Sequence, residues 1–182
     1  MARGFTFIET LITVALFAVL VLAVTQLYVV YGRIISFQGS SLNISLGASG
    51  VVDAVRTAGL QADHVVASHT FSGTVYNSGT TTAIFELPSV DASGAVLTNT
   101  YDYVGIYASS TNVYRVIDAA AGSARVSGTK QLTSALNALS FTYDNASFPL
   151  VASLTVDATT SATVQGNAAQ VHLRDHIYLR NL

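Results

Sequence analysis

Phe5–Val30 reads FTFIETLITVALFAVLVLAVTQLYVV. Apart from the hydroxyl of Tyr28, the one ionisable side chain in it is Glu9, and neither Gly nor Pro interrupts it. A helix of about 20 apolar residues crosses the hydrocarbon core of a bilayer, and this stretch has that length. It reads as a membrane-spanning helix. Glu9 is the anomaly, because a carboxylate in such a span costs a few kcal/mol on insertion scales and by default marks function.

The rest of the chain fits a membrane-tethered protein. Of 182 residues, 51% are hydrophobic and 10% charged, with a formal net charge of −2; mean hydropathy is +0.49. A soluble domain is roughly 25% charged. Such hydrophobicity excludes a disordered tail. Eight Lys+Arg against ten Asp+Glu gives no cationic field for a phosphate backbone, so no nucleic-acid partner is expected. The absence of Cys removes disulfides, thiolate metal sites and a cysteine nucleophile.

Three readings of the N-terminus compete. A cleaved secretory signal would use Arg3 as its basic end and a cut near Leu22-Ala23, but the apolar run is long and the small-x-small pattern poor. A plain anchor explains the span and leaves Glu9 without a purpose. The third reading takes the order of residues: the basic leader Met1-Ala2-Arg3-Gly4, then Phe5-Thr6-Phe7-Ile8-Glu9-Thr10-Leu11.

That order closely resembles the leader and helix start of type IV prepilins and pseudopilins. The resemblance implies cleavage between Gly4 and Phe5 by a prepilin peptidase, N-methylation of Phe5, and Glu9 as a filament docking and register residue facing a neighbour's N-terminal ammonium. It also implies other pilin or pseudopilin subunits and an assembly platform with its ATPase as partners. Membrane lipid surrounds the helix before assembly. The location implied is the cytoplasmic (inner) membrane, single-pass with the head outside, and then the filament. The residues alone say that Glu9 lies one turn after the new amine, and that a desolvated carboxylate seeks a cation or a proton. A protonated Glu9 snorkelling to the headgroups is the simpler alternative.

Beyond the span, Ile34, Ile35, Leu42, Leu46, Val51, Val52 and Val55 form an approximate helical stripe, with Asp53 and Arg56 off it and Gly59 as a C′ stop. Gly39, Gly47 and Gly50 weaken that helix, so a Gly/Ser linker is the alternative. The only prolines, Pro88 and Pro149, lie downstream, so no proline kink is available in the membrane half.

From about Leu60, Val/Thr/Tyr/Ile runs alternate with Gly/Asn/Ser/Asp clusters, a strand-and-turn composition. Strands are expected at 64–69, 73–76, 82–86, 101–108, 112–117, 139–143, 151–156 and 171–179, with a hairpin turn between Tyr107 and Val113. Leu132–Leu139 reads as a helical turn. The run Leu136–Asp144 resembles minor pilins and J-type pseudopilins.

No nucleophile elbow, P-loop, dinucleotide fingerprint or zincin motif occurs, so no enzyme, cofactor or metal is expected. His172 and His176 have an HxxxH spacing, but their neighbours alternate as a strand, with Asp175 on the apolar side and a bulge allowed there. Asp144, Asn145 and Asp157 offer oxygen ligands for Ca²⁺ without a diagnostic spacing; turn-forming roles suffice. Tyr101, Tyr103, Tyr107 and Tyr114 read as core or cross-strand residues, with a subunit or adhesive contact as the alternative. From Gln61 onward there are five basic and eight acidic residues.

The expected fold is α+β: a long N-terminal helix packed on an antiparallel β-sheet head. Residues 1–4 are the leader, 5–30 the transmembrane half, 31–60 the amphipathic continuation and 61–182 the head. The expected function is a structural subunit of a type IV pilus or type II secretion-like pseudopilus, probed against the alternative of a membrane-anchored surface binding module that enters no filament.

Overall fold

The computed structural model describes residues 6–164 and 166–180. Gly4 and Phe5 lie outside the described residues. The chain divides into two compact units, up to Ser40 and from Ser41 onward. Helix α1, Phe7–Gly59, belongs to both. It runs through Gly39, Gly47 and Gly50, so the linker alternative is not adopted.

In the first unit every described residue from Thr6 to Gly39 is exposed. Leu, Ile, Val and Phe occupy all faces of this segment, so no single face can be turned to a core. In the second unit α1 changes character. Ile44, Ala48, Val51, Val55 and Ala58 recur at alternating spacings of four and three and are buried. The expected stripe is therefore corrected. Leu42 and Leu46 are exposed, while Ile44, Gly47 and Ala48 take the inner face.

That face packs on two antiparallel sheets. The five-stranded sheet has the order β1-β4-β5-β6-β7, from β1 (His64–Val65), β4 (Thr82–Val90), β5 (Val96–Ser109), β6 (Asn112–Asp118) and β7 (Gly128–Thr133). The three-stranded sheet is β10-β9-β8, from β8 (Leu136–Tyr143), β9 (Ser153–Val164) and β10 (Asn167–Tyr178). Val51, Val52 and Val55 share one core with Phe85, Ile106, Phe141, Leu154 and Ile177. Thr160 Oγ1 donates to the Ile44 carbonyl at 2.7 Å, a buried tie between β9 and the helix. A hairpin of β2 (Ser68–Phe71) and β3 (Thr74–Asn77) brings Phe71 against Ile84 and Val116 in a second, smaller core.

Gly59 ends α1 as its last residue, not as a left-handed C′ residue, since it is absent from the positive-φ positions. Its small size serves packing: a Cβ there would lie 2.8 Å from Ile177 Cγ2.

Leu132–Leu139 is not a helical turn. β7 ends at Thr133 and β8 starts at Leu136. The register against β9 shifts between Leu136 and Ala138, leaving Asn137 as an extra residue. The bulge puts Leu136 and Leu139, three apart, both in the core. A three-residue apolar spacing imitates a helix when a strand carries one extra residue. Asp175 shows the reverse. β10 pairs with β9 without a register shift, and the inward acid is held by Arg56, whose Nη2 is 2.9 Å from Asp175 Oδ2.

Asp102, fully buried on β5, gathers the segment after β6. Ser89 Oγ, Ala120 N, Ser123 Oγ and Arg125 Nη1 donate to its two oxygens at 2.6–2.8 Å. Burial pushes this carboxyl up, but the Ser123, Arg125, Ala120 and Ser89 hydrogen bonds outweigh it and hold it below the ordinary carboxylate value.

Candidate functional site

The helix start is apolar and exposed around one acid, Glu9. The 18-residue apolar window of α1 has a mean hydropathy of 2.6 and none of it is buried. Phe7 and Ile8, beside Glu9, are 81% and 69% exposed. Such a surface demands lipid or other apolar helices.

Polar groups in this segment are closed locally. Thr10 Oγ1 donates to the Phe7 carbonyl, Thr13 to Glu9, Thr25 to Val21 and Ser36 to Gly32, all at 2.7–2.9 Å. Hydroxyls that bond back into their own helix require no outside partner, which suits a hydrocarbon environment.

Glu9 has a partner that the sequence reading overlooked. Glu9 Oε2 accepts the Thr6 backbone N–H at 2.8 Å and the Thr6 hydroxyl at 2.9 Å, and the Glu9 N–H reaches Thr6 Oγ1 at 3.4 Å. This reciprocal arrangement is a capping box. Its signal, Thr-x-x-Glu ahead of an apolar run, stands in the sequence. The carboxylate thus satisfies the first turn of its own helix, with one oxygen of the pair engaged.

The β-rich unit disperses its candidates. His172 and His176 both project from the outer side of β10, about 13 Å apart along a strand. His172 Nε2 meets Asp157 Oδ1 at 2.6 Å, and His176 Nδ1 meets Thr155 Oγ1 at 3.0 Å. The Asp144 carboxylate accepts the Ala152 and Ser153 N–H groups at 3.0 and 2.9 Å, and Asn145 accepts the Ser147 N–H. These are turn-closing bonds. Asp144 and Asn145 close their own turn, while Asp157 pairs with His172.

The tyrosines sort differently. Tyr76, Tyr107 and Tyr114 form a ring ladder with centroids 4.7 and 5.5 Å apart. Tyr103 stacks on His69 at 3.8 Å, and His69 Nε2 meets Asp118 at 2.9 Å. Burial and Glu86 push the Tyr103 hydroxyl up to about 12, and burial with Tyr76 does the same for Tyr107. They are half-buried packing residues on the face covered by the β2–β3 hairpin.

Residues 1–25 match the prokaryotic N-terminal methylation motif, the signature of type IV pilins. No curated protein and no solved structure matches the chain.

Proposed function

We propose that this chain, which carries the type IV pilin signature at its N-terminus, is a structural subunit of a type IV pilus or type II secretion-like pseudopilus. The observation that carries the proposal is the coincidence of that signature with an apolar helical segment exposed on every side. In this reading prepilin peptidase cuts between Gly4 and Phe5 and Phe5 is N-methylated. The helix waits in the inner membrane with the β-rich unit outside the cytoplasm, then enters a filament core through the assembly platform and its ATPase. The transfer exchanges lipid for equally apolar helix contacts, so packing and polar pairing set its direction.

Glu9 supplies that pairing. In a desolvated core its free acceptor capacity takes the ammonium of a neighbouring Phe5, which fixes axial register as well as adding stability. The capping box leaves this open, since Thr6 occupies one carboxylate oxygen.

Two measurements test the reading. Co-expression with a prepilin peptidase, followed by intact-mass and N-terminal analysis of the membrane fraction, is expected to return a chain starting at Phe5 with one added methyl. A chain starting at Met1, where a known prepilin is cut in the same cells, would leave the anchored binding module. The second separates docking from capping. Glu9→Gln is expected to abolish filament incorporation while membrane retention persists. Thr6→Val, which removes the hydroxyl bonds of the cap and keeps the backbone N–H bond to Glu9, at a cost of about 1 kcal/mol, is expected to assemble. Equal loss in both variants would make Glu9 a helix cap and no docking residue.

A further inference from the structure

Strand β6 breaks its own pattern at Arg115. Val113 and Ile117, two residues to either side, pack into the core shared with α1, while Val116 belongs to the smaller core on the opposite face. Alternation therefore puts Arg115 on the face of the sheet that α1 covers, in a row otherwise apolar. Its register partner on β5 is Ile106, which is fully buried. The arginine is half-buried, and its Nε is closed off from solvent without a hydrogen-bond partner, the one buried side-chain nitrogen or oxygen in that condition among the described residues. No described residue gives Arg115 an ion pair or a hydrogen bond. Buried polar groups are satisfied as a rule, and an unmet donor on a cation is the costlier exception.

Arg115 lines a cavity of about 170 Å³ between the last turns of α1 and the sheet. Ala54, Ala58, Leu87 and Val104 give it a buried apolar floor. Thr57 and Gln61 are exposed at its rim, so it opens to solvent there. The second arginine in its wall, Arg125, is already engaged: Nη1 donates to Asp102 and to the Pro88 carbonyl, and Nη2 to Gln61 Oε1 at 2.9 Å. A guanidinium only donates, so the Gln61 oxygen must face Arg125 and its amide N–H₂ is left on the rim as a donor. One cavity thus combines a satisfied arginine, an unsatisfied one, an amide donor and a hydrocarbon floor.

We propose that this cavity binds a short aliphatic monocarboxylate, with the carboxylate paired to Arg115 and the chain laid on the apolar floor. A carboxylate matches the guanidinium fork through two parallel N–H···O bonds. One unmatched cation calls for one negative charge; phosphate or sulfate would bring surplus charge onto a hydrocarbon floor, which is costly. Size sets the chain length. An apolar cavity of about 150 Å³ holds benzene, so one of about 170 Å³ takes roughly six to eight non-hydrogen atoms, the size of butyrate or valerate. The site is invisible as a motif, because Arg115 is a lone cation in a strand and the walls come from α1, β4, β5 and β6. The proposal is independent of the filament reading.

The test uses the full-length chain in detergent, near neutral pH and at constant ionic strength, with sodium butyrate as the probe. Butyrate is too short to partition strongly into micelles. Isothermal titration is expected to show one site per chain, with acetate about tenfold weaker for the two methylenes lost. Butyramide, which keeps the shape and loses the charge, should not bind. Arg115→Gln should weaken butyrate binding by more than about 10-fold, and Arg115→Lys by an intermediate factor, since lysine keeps the charge and loses the fork. Arg174→Gln, which removes an exposed charge from β10, should leave binding unchanged. Unfolding profiles without ligand establish that each variant is folded; should Arg115→Gln not fold, Arg115→Lys and the contrast between butyrate and butyramide decide the matter. Binding that survives Arg115→Gln, equal binding of butyramide, preference for phosphate over butyrate, or no binding to the wild-type chain would each overturn the assignment. The last would leave Arg115 as a cation that packs its stem and sends its charge to solvent.

Discussion

Helix α1 is one element that answers to two environments. Up to Gly39 its Leu, Ile, Val and Phe side chains are exposed; beyond Ser41 its inner face narrows to Gly, Ala, Val and one Ile, and these are buried. Large side chains suit a surface where lipid or another helix fills the gaps. Small ones suit close approach to a sheet. The difference teaches that burial in this chain is governed by residue size as much as by hydropathy: Leu42 and Leu46 are more hydrophobic than Ala48 and stay outside.

The same contrast holds for carboxylates. Glu9 is satisfied within one turn by Thr6. Asp102 is satisfied by four donors from two other stretches of chain, β4 and the segment after β6. Local closure leaves a group free to change its surroundings; long-range closure locks a fold. The largest expected effect follows. Arg125→Ala strands a fully buried carboxylate and should destabilise the β-rich unit by about 3–5 kcal/mol. The pH dependence has a definite sign. Because the folded carboxyl is held below its unfolded value, its contribution is present above about pH 4 and lost as pH falls through the folded value. Thermal melts from pH 6 down to pH 2 should show that loss in the wild type and much less of it in Asp102→Asn. An unchanged slope would break the distinction between the two acids.

How far the sequence was legible follows from which forces are local. The apolar helix, the N-terminal methylation motif and most strands could be read because residue order, hydropathy and alternation are carried by neighbours in the chain. Asp175 was legible as a misfit, but Arg56, which resolves it, is far away in sequence. The bulge at Asn137 gave strand β8 a helical spacing, and only pairing with β9 distinguishes the two. Strand β7, GTKQLT, was missed because its exposed edge carries almost no apolar alternation. The Thr6–Glu9 capping box was readable and overlooked, since the acid had already been explained by its place in an apolar run.

The glycines of α1 sharpen the comparison at closer range. A Cβ on Gly47 would lie 2.5 Å from Thr133 Oγ1 and 3.1 Å from Thr133 Cβ. Helix and β7 touch there through backbone-sized space. Gly47→Ala gains helix propensity but must displace a largely buried threonine, and overpacking of this kind costs about 1–3 kcal/mol. The expected net result is a destabilised β-rich unit in chemical denaturation. Indifference to the methyl group would mean that the buried half of α1 is not shaped by close approach.

Gly50, one turn on, provides the smallest and most discriminating effect. A Cβ there meets nothing within 4 Å, and its φ is not positive. Nothing in the packing requires glycine, so Gly50→Ala should raise stability by about 0.5–1 kcal/mol, through the helix propensity gained and the unfolded-state freedom removed. The two substitutions have the same chemistry, the same helix and the same unfolded-chain term. Their difference therefore isolates contact with β7 from propensity. Opposite signs in one denaturation series would place the cause of the glycine content in side-by-side packing at Gly47. A loss at both positions would instead make the flexible, glycine-bearing stretch itself the selected property, and the two halves of α1 would then differ in stiffness as well as in what surrounds them.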